Sequence, residues 1–154
     1  VKIQLGTTLT ALLIIDSKFM IIGHVGDSRV YRIDDKLTVL TDDQTVVGRE
    51  IKRGTLTPEQ AKTDPRRNVL LQCIGASKLV TPDFIYGKPS VGEVYMLCSD
   101  GFRHTLTEQE IFHAFAPQQL SNETIMEQKV YDLIQLNKQR NEMDNISVLL
   151  IKIV

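Results

Sequence analysis

Four apolar runs crowd the first forty residues, and the connectors between them leave room for little but antiparallel pairing. Leu9 to Ile15, Phe19 to Val25, Arg29 to Ile33 and Leu37 to Leu40 are rich in Ile, Leu and Val. Asp16-Ser17, Gly26-Asp27-Ser28 and Asp34-Asp35-Lys36 separate them. A parallel crossover needs about a dozen residues or more, so these runs predict consecutive antiparallel strands. From Asp43 the pattern changes. Val46, Val47, Glu50, Ile51 and Arg53 predict an amphipathic helix that Gly54 ends. Thr57-Pro58-Glu59-Gln60 predicts a second, with Thr57 as N-cap, Pro58 in the first turn and Gln60 closing a capping box. Residues 41–68 thus read as a polar insertion on the surface between two sheet regions.

Strand signals return at Phe84 to Gly87 and Val94 to Cys98. Thr107-Glu108-Gln109-Glu110 is a capping box ahead of Ile111, Phe112, Ala114 and Phe115. Glu123 to Lys138 spaces Ile125, Met126, Val130, Leu133, Ile134 and Leu136 for a helix. The final run, Ile146 to Val154, is almost continuously apolar and predicts a central strand covered on both faces. The whole reads as one α+β domain over residues 1–154, antiparallel sheets with outer helices.

Length and charge narrow the function classes. At 154 residues the chain can bury a substantial core. Eighteen basic and nineteen acidic residues are mixed along it, for a net charge of −1, which gives no reason to expect nucleic-acid or membrane partners. No apolar stretch reaches the length of a membrane span, and no secretory leader is visible. Cys73 and Cys98 sit in apolar segments at no metal-binding spacing, which predicts buried free thiols and a cytoplasmic location. The first residue is Val1, not methionine, as expected of a processed or truncated piece.

Two acidic signatures carry the chemistry. Ser99-Asp100-Gly101 follows the apolar run Val94 to Cys98, and Asp144-Asn145 precedes Ile146 to Ile151. A carboxylate placed where a strand gives way to a loop presents a hard-cation ligand on a rigid support. Each signature taken singly is also an ordinary turn. Asp27 likewise reads as a turn residue bonding the next amides, with Arg29 pairing nearby. His24 and His113 have no partner motif and read as satisfied core or surface histidines. Arg66 and Arg67 are guanidinium forks suited to phosphate, or plain surface charges.

Taken in order, Gly6-Thr7-Thr8, Val25-Gly26-Asp27-Ser28-Arg29, Ser99-Asp100-Gly101 and Asp144-Asn145 resemble the type 2C metal-dependent protein serine/threonine phosphatases. Thr41-Asp42-Asp43-Gln44, and Asp64 to Leu70 with Ile74-Gly75, are similar to the bacterial branch. The resemblance implies an αββα sandwich, two antiparallel sheets flanked by helices, with two Mn²⁺ or Mg²⁺ ions at one end. A metal-bound water would attack phosphoserine or phosphothreonine directly, without a phospho-enzyme. By position, Asp100 and Asp144 would ligate the second metal, with Gly101 and Asn145 in support. A third metal site in the family uses Asp27, Asp100 and an acidic residue whose place His104 takes here. An imidazole ligates Mn²⁺ but should lower Mg²⁺ affinity. The segment before Arg66 corresponds to a flap that influences substrate choice, which leaves both readings of Arg66 and Arg67 open, phosphate contact or plain surface charge. The implied partners are phosphoserine and phosphothreonine proteins and a cognate Ser/Thr kinase.

The family's upstream Arg, its Asn-Glu-Asp group and its Asp-Gly-Met-Gly-Gly segment have no match in Val1 to Leu5. The chain is therefore expected to be a C-terminal portion of the catalytic domain, lacking N-terminal strands and helices. By itself it is expected to be inactive or impaired, and to self-associate, or to bind its detached N-terminal segment, through the surface thus uncovered. The competing expectation is a non-catalytic, phosphatase-like interaction module. A metal-dependent hydrolase of small phosphoesters is a third.

Overall fold

A computed structural model describes residues 5–154. Val1 to Gln4, most of the stretch in which the upstream motifs find no match, lie outside the described residues. Among the described residues seven strands pair into two antiparallel sheets. The first takes β1 (Leu9–Ile15), β2 (Phe19–Val25) and β5 (Asp83–Gly87) in the order β1-β2-β5. The second takes β3 (Arg29–Ile33), β4 (Leu37–Val39), β6 (Val94–Cys98) and β7 (Val148–Lys152) in the order β4-β3-β6-β7. The helices are α1 (Val46–Lys52), α2 (Pro58–Thr63), α3 (Asp100–Arg103), α4 (Glu108–Phe115) and α5 (Glu123–Gln139). All four N-terminal strands stand where the apolar runs predict them. Asp16 and Ser17 carry the β1–β2 hairpin with φ of 50° and 51°, the backbone that matches the twist of paired strands.

Alternation along the strands divides the interior in two. Met20 and Ile22 of the first sheet meet Val30, Tyr95 and Ile153 between the sheets. Tyr31, Ile33, Val94 and Met96 instead pack with Phe102, Ile111, Phe115 and Leu133 beneath α4 and α5. β6 is thus covered on both sides.

β7 departs from expectation: it is an edge strand among the described residues, and Leu149 is 53% exposed. Its apolar run has another cause. Leu150 joins the helix-side core while Ile151 and Ile153 join the core between the sheets. Two covered faces do not require two paired edges. On the first sheet, the outer face leaves Leu9, Leu13, Phe19, Phe84 and Tyr86 exposed.

Both predicted capping boxes form, at Thr57 with Gln60 and at Thr107 with Glu110. Glu110 also pairs with Arg140 at the end of α5, whose hydrogen bonds hold its carboxyl down at about 2. Deeper in, the fully buried Asn137 of α5 donates to the Phe102 carbonyl at 2.9 Å and accepts from the Thr105 hydroxyl. This amide ties α5 to the turn that follows Asp100. Asn137→Leu is expected to cost about 2–4 kcal/mol, because it strands a buried carbonyl and a part-buried hydroxyl at once. Urea unfolding measures it, and a loss below about 1 kcal/mol would show that those groups find other partners.

Candidate metal centre

Register alone brings the three aspartates of the motifs to one end of the second sheet. Arg29 at the start of β3 pairs with Cys98 at the end of β6, and Cys98 pairs with Val148 at the start of β7. The loop holding Asp27, the turn holding Asp100 and the loop holding Asp144 therefore open side by side.

Ser99 fastens two of them. Its amide donates to the Ser147 carbonyl at 3.0 Å, and its Oγ accepts from the Ser147 amide at 3.0 Å. The same hydroxyl donates to the Asn145 carbonyl at 3.1 Å. Gly101 lets them close up: a Cβ there would stand 2.5 Å from the Asn145 oxygen and 3.1 Å from Asp144 Cβ. One carboxylate oxygen of each aspartate is fixed by the next amide, Gly101 on Asp100 at 2.9 Å and Asn145 on Asp144 at 2.7 Å. The second oxygen of each is left for another partner.

Ligand-capable atoms of Asp100, His104 and Asp144 all lie within 4.8 Å of one another. Hard carboxylate oxygens with one imidazole suit Mn²⁺ or Mg²⁺ better than the thiolate-rich sets that select zinc. Metal–ligand bonds of about 2.1 Å put neighbouring donors about 3 Å apart and opposed ones about 4 Å apart, so the cluster needs only a small contraction.

Asp27 lies outside that group but near it. Burial raises its pKa, the negative charge of Asp100 adds to the rise, and Arg103 opposes it. The pairing of Arg29 is corrected by the structure. Its guanidinium grips Asp43, Nε to Oδ1 at 2.7 Å and Nη2 to Oδ2 at 2.8 Å, and does not pair with Asp27. Arg103 reaches the same Asp43 at 3.1 Å and the Asp27 carbonyl at 3.2 Å. Burial acts to raise Asp43, but the Arg29 hydrogen bonds and both guanidinium charges outweigh it and hold the carboxyl below its ordinary range.

Gln44 completes the buttress. Its side-chain oxygen accepts from the Gly26 amide at 2.8 Å and its own amide donates to the Gly26 carbonyl at 2.8 Å. Gly26 has φ of 118°, and a Cβ on it would lie 2.3 Å from the Thr8 methyl. Gly6-Thr7-Thr8, Gly26-Asp27-Ser28 and Thr41-Asp42-Asp43-Gln44 are thus parts of one support.

The other candidates fall elsewhere. His24 is buried and satisfied, Nδ1 to Thr10 Oγ1 at 2.9 Å and Nε2 to the Asp42 carbonyl at 3.0 Å. His113 is exposed on α4. Arg66 pairs with its neighbour Asp64, whose carboxyl its hydrogen bonds lower to about 2, and Arg67 is exposed. Among the described residues no hydrogen bond or ion pair joins either arginine to Asp27, Asp100 or Asp144. Cys98 is buried, which pushes its thiol up to about 11, and Cys73 is half-buried; both are free. Sequence reasoning missed Asp43 as an anchor, Arg103 and Glu142. Their signals were faint: an Asp inside a motif, an Arg one turn past Asp100, a Glu two residues before Asp144.

No family model matches the chain. Among curated proteins, it is 32% identical over 148 residues to the protein phosphatase PhpP of Streptococcus pneumoniae, covering 96% of this chain. It is 31% identical over 148 residues to a putative protein phosphatase 2C-type of Streptococcus pyogenes. The chain spans 58% of the length of each. The solved serine/threonine phosphatase of S. agalactiae superposes with a TM-score of 0.87 at 32% identity, over 97% of this chain and 60% of that one. The catalytic domain of the phosphatase PstP, solved in complex with two manganese ions, gives a TM-score of 0.77 at 30% identity over 94% of this chain and 57% of its own.

Proposed function

We propose that this chain, similar to bacterial type 2C protein serine/threonine phosphatases over part of their length, supplies part of a metal-dependent domain that hydrolyses phosphoserine and phosphothreonine in proteins. The observation that carries this reading is the contact of Gly101 with Asp144-Asn145, which sets two strand-end carboxylates facing one another. Asp100 and Asp144 would hold a divalent cation, Mn²⁺ or Mg²⁺. When bound, such ions acidify water and neutralise phosphate charge. The chain's own residues do the rest. Ser99 and Gly101 keep the carboxylates at a fixed spacing, Asn145 secures Asp144 through its amide, and the Arg29–Asp43–Arg103 network holds the Asp27 loop in place.

Among the described residues the cluster offers two carboxylates and one imidazole, with Asp27 to the side. That set is too small for a binuclear centre, so turnover by this chain alone is expected to be weak or absent. Arg66, released from Asp64, would be free to meet a phosphorylated partner. Such partners are phosphoproteins, with a Ser/Thr kinase as the natural opponent. Two free cysteines suit a cytoplasmic setting.

The test is Mn²⁺-dependent phosphate release from a phosphothreonine peptide by the purified full-length protein. Asp100→Asn and Asp144→Asn are each expected to lower turnover about a hundredfold or more. Near-normal rates in both variants would sink the assignment. Tight Mn²⁺ binding without any turnover would favour the interaction-module reading instead.

A further inference from the structure

We infer that His104 is the nitrogen ligand of the Asp100–Asp144 cation site, that Glu142 orients it, and that it tilts the site toward Mn²⁺ over Mg²⁺. The inference rests on the reading that those two aspartates hold a divalent cation.

Geometry places His104 with this pair. The turn of α3 sets it one helical turn beyond Asp100, its amide bonded to the Asp100 carbonyl at 3.1 Å. Nε2 stands 3.6 Å from Asp100 Oδ2, and the cluster that includes Asp144 does not include Asp27. His104 is therefore grouped with the main carboxylate pair and not with Asp27.

The second observation lies behind the ring. Nδ1 stands 3.5 Å from Glu142 Oε2, and the Glu142 side chain is only 8% exposed. Its other oxygen accepts from the Met143 and Asp144 amides at 3.0 and 2.9 Å. One buried carboxylate thus locks the loop that carries Asp144 and faces the far nitrogen of the imidazole. With a proton on Nδ1 directed at Glu142, the Nε2 lone pair turns toward the two aspartates. Carboxylates that back a metal-ligating histidine in this way fix its tautomer and raise its basicity.

The chemistry sets the preference. Imidazole is a better donor to Mn²⁺ than to Mg²⁺, which favours oxygen ligands and binds through charge. A neutral ring in place of a third carboxylate also leaves the site less negative, which weakens Mg²⁺ more.

Pulsed electron paramagnetic resonance of Mn²⁺ bound to the purified protein tests this, because a directly ligated ¹⁴N modulates the echo. The expected result is ¹⁴N coupling in the unmodified protein, lost in His104→Asp while Mn²⁺ stays bound. Titrations should show the ratio of Mn²⁺ to Mg²⁺ affinity falling about tenfold in His104→Asp. Glu142→Gln should keep the coupling and weaken Mn²⁺ binding about tenfold. Bound Mn²⁺ with no ¹⁴N coupling overturns the inference; if Asp100→Asn/Asp144→Asn then abolishes binding, the aspartate assignment stands without it. Binding undiminished in that double variant overturns the aspartate assignment itself, and no Mn²⁺ binding at all overturns both.

Discussion

Asp43→Ala is expected to cost about 3–5 kcal/mol of stability, the penalty for removing one partner of a largely buried ion network. Two guanidiniums converge on this carboxylate, with the side chains of Arg29, Arg103 and Asp43 only 25%, 18% and 17% exposed. Without Asp43 both cations stay buried and face each other unneutralised. The damage should also reach the site, because Arg103 holds the Asp27 carbonyl from the same position. Urea unfolding at neutral pH reads the loss, and a cost below about 1 kcal/mol would mean that water or another carboxylate takes over.

The same carboxylate gives a pH signature. Its pKa in the folded protein is below the ordinary Asp value of 3.8. Its contribution is therefore complete above that ordinary value and is lost as pH falls through the lowered folded one. Asp43→Ala should flatten the acid limb of the stability curve, so that variant and parent differ least in strong acid.

Gly101→Ala is the second large effect, and it separates geometry from charge. The added methyl would meet the Asn145 oxygen at 2.5 Å, against roughly 3.3–3.6 Å for even a close carbon–oxygen contact. The oxygen is backbone and is held by Ser99, so the loop must retreat by about 1 Å. Overpacking of this kind costs about 1–3 kcal/mol. A displacement of about 1 Å in a constellation of reacting groups costs on the order of a hundredfold, and Mn²⁺ affinity is expected to fall by about that factor. Thermal unfolding and equilibrium Mn²⁺ binding measure the two losses. Parental Mn²⁺ affinity in the variant would show that the close approach does not set the carboxylate spacing.

The strands and capped helices were legible because they are local. An apolar run with a short polar connector, or Thr followed three residues later by Gln or Glu, states its structure within a few residues. β7 misled because an apolar run records how many faces are covered and not how many edges are paired. Asp100 and Asp144 were visible as residues at strand ends, and the register that faces them belongs to the sheet. Asp43 was seen only as part of a motif, because its partners Arg29 and Arg103 are 14 and 60 residues away. Glu142 belongs to no motif, and only folding brings it against His104.

Ser99 and Asn145 meet across 46 residues of chain, and Arg103 meets the Asp27 carbonyl across 76. The contacts that bring Asp100 and Asp144 together are long-range, so no partly folded species that lacks the β6–β7 register can present the cluster. Long-range strand pairings of this kind form slowly and late. A cation that recognises only the finished arrangement has nothing to grip during folding. If it binds as proposed, its influence would fall on the return journey, as a latch that slows escape from the native state while leaving the rate of arrival almost untouched.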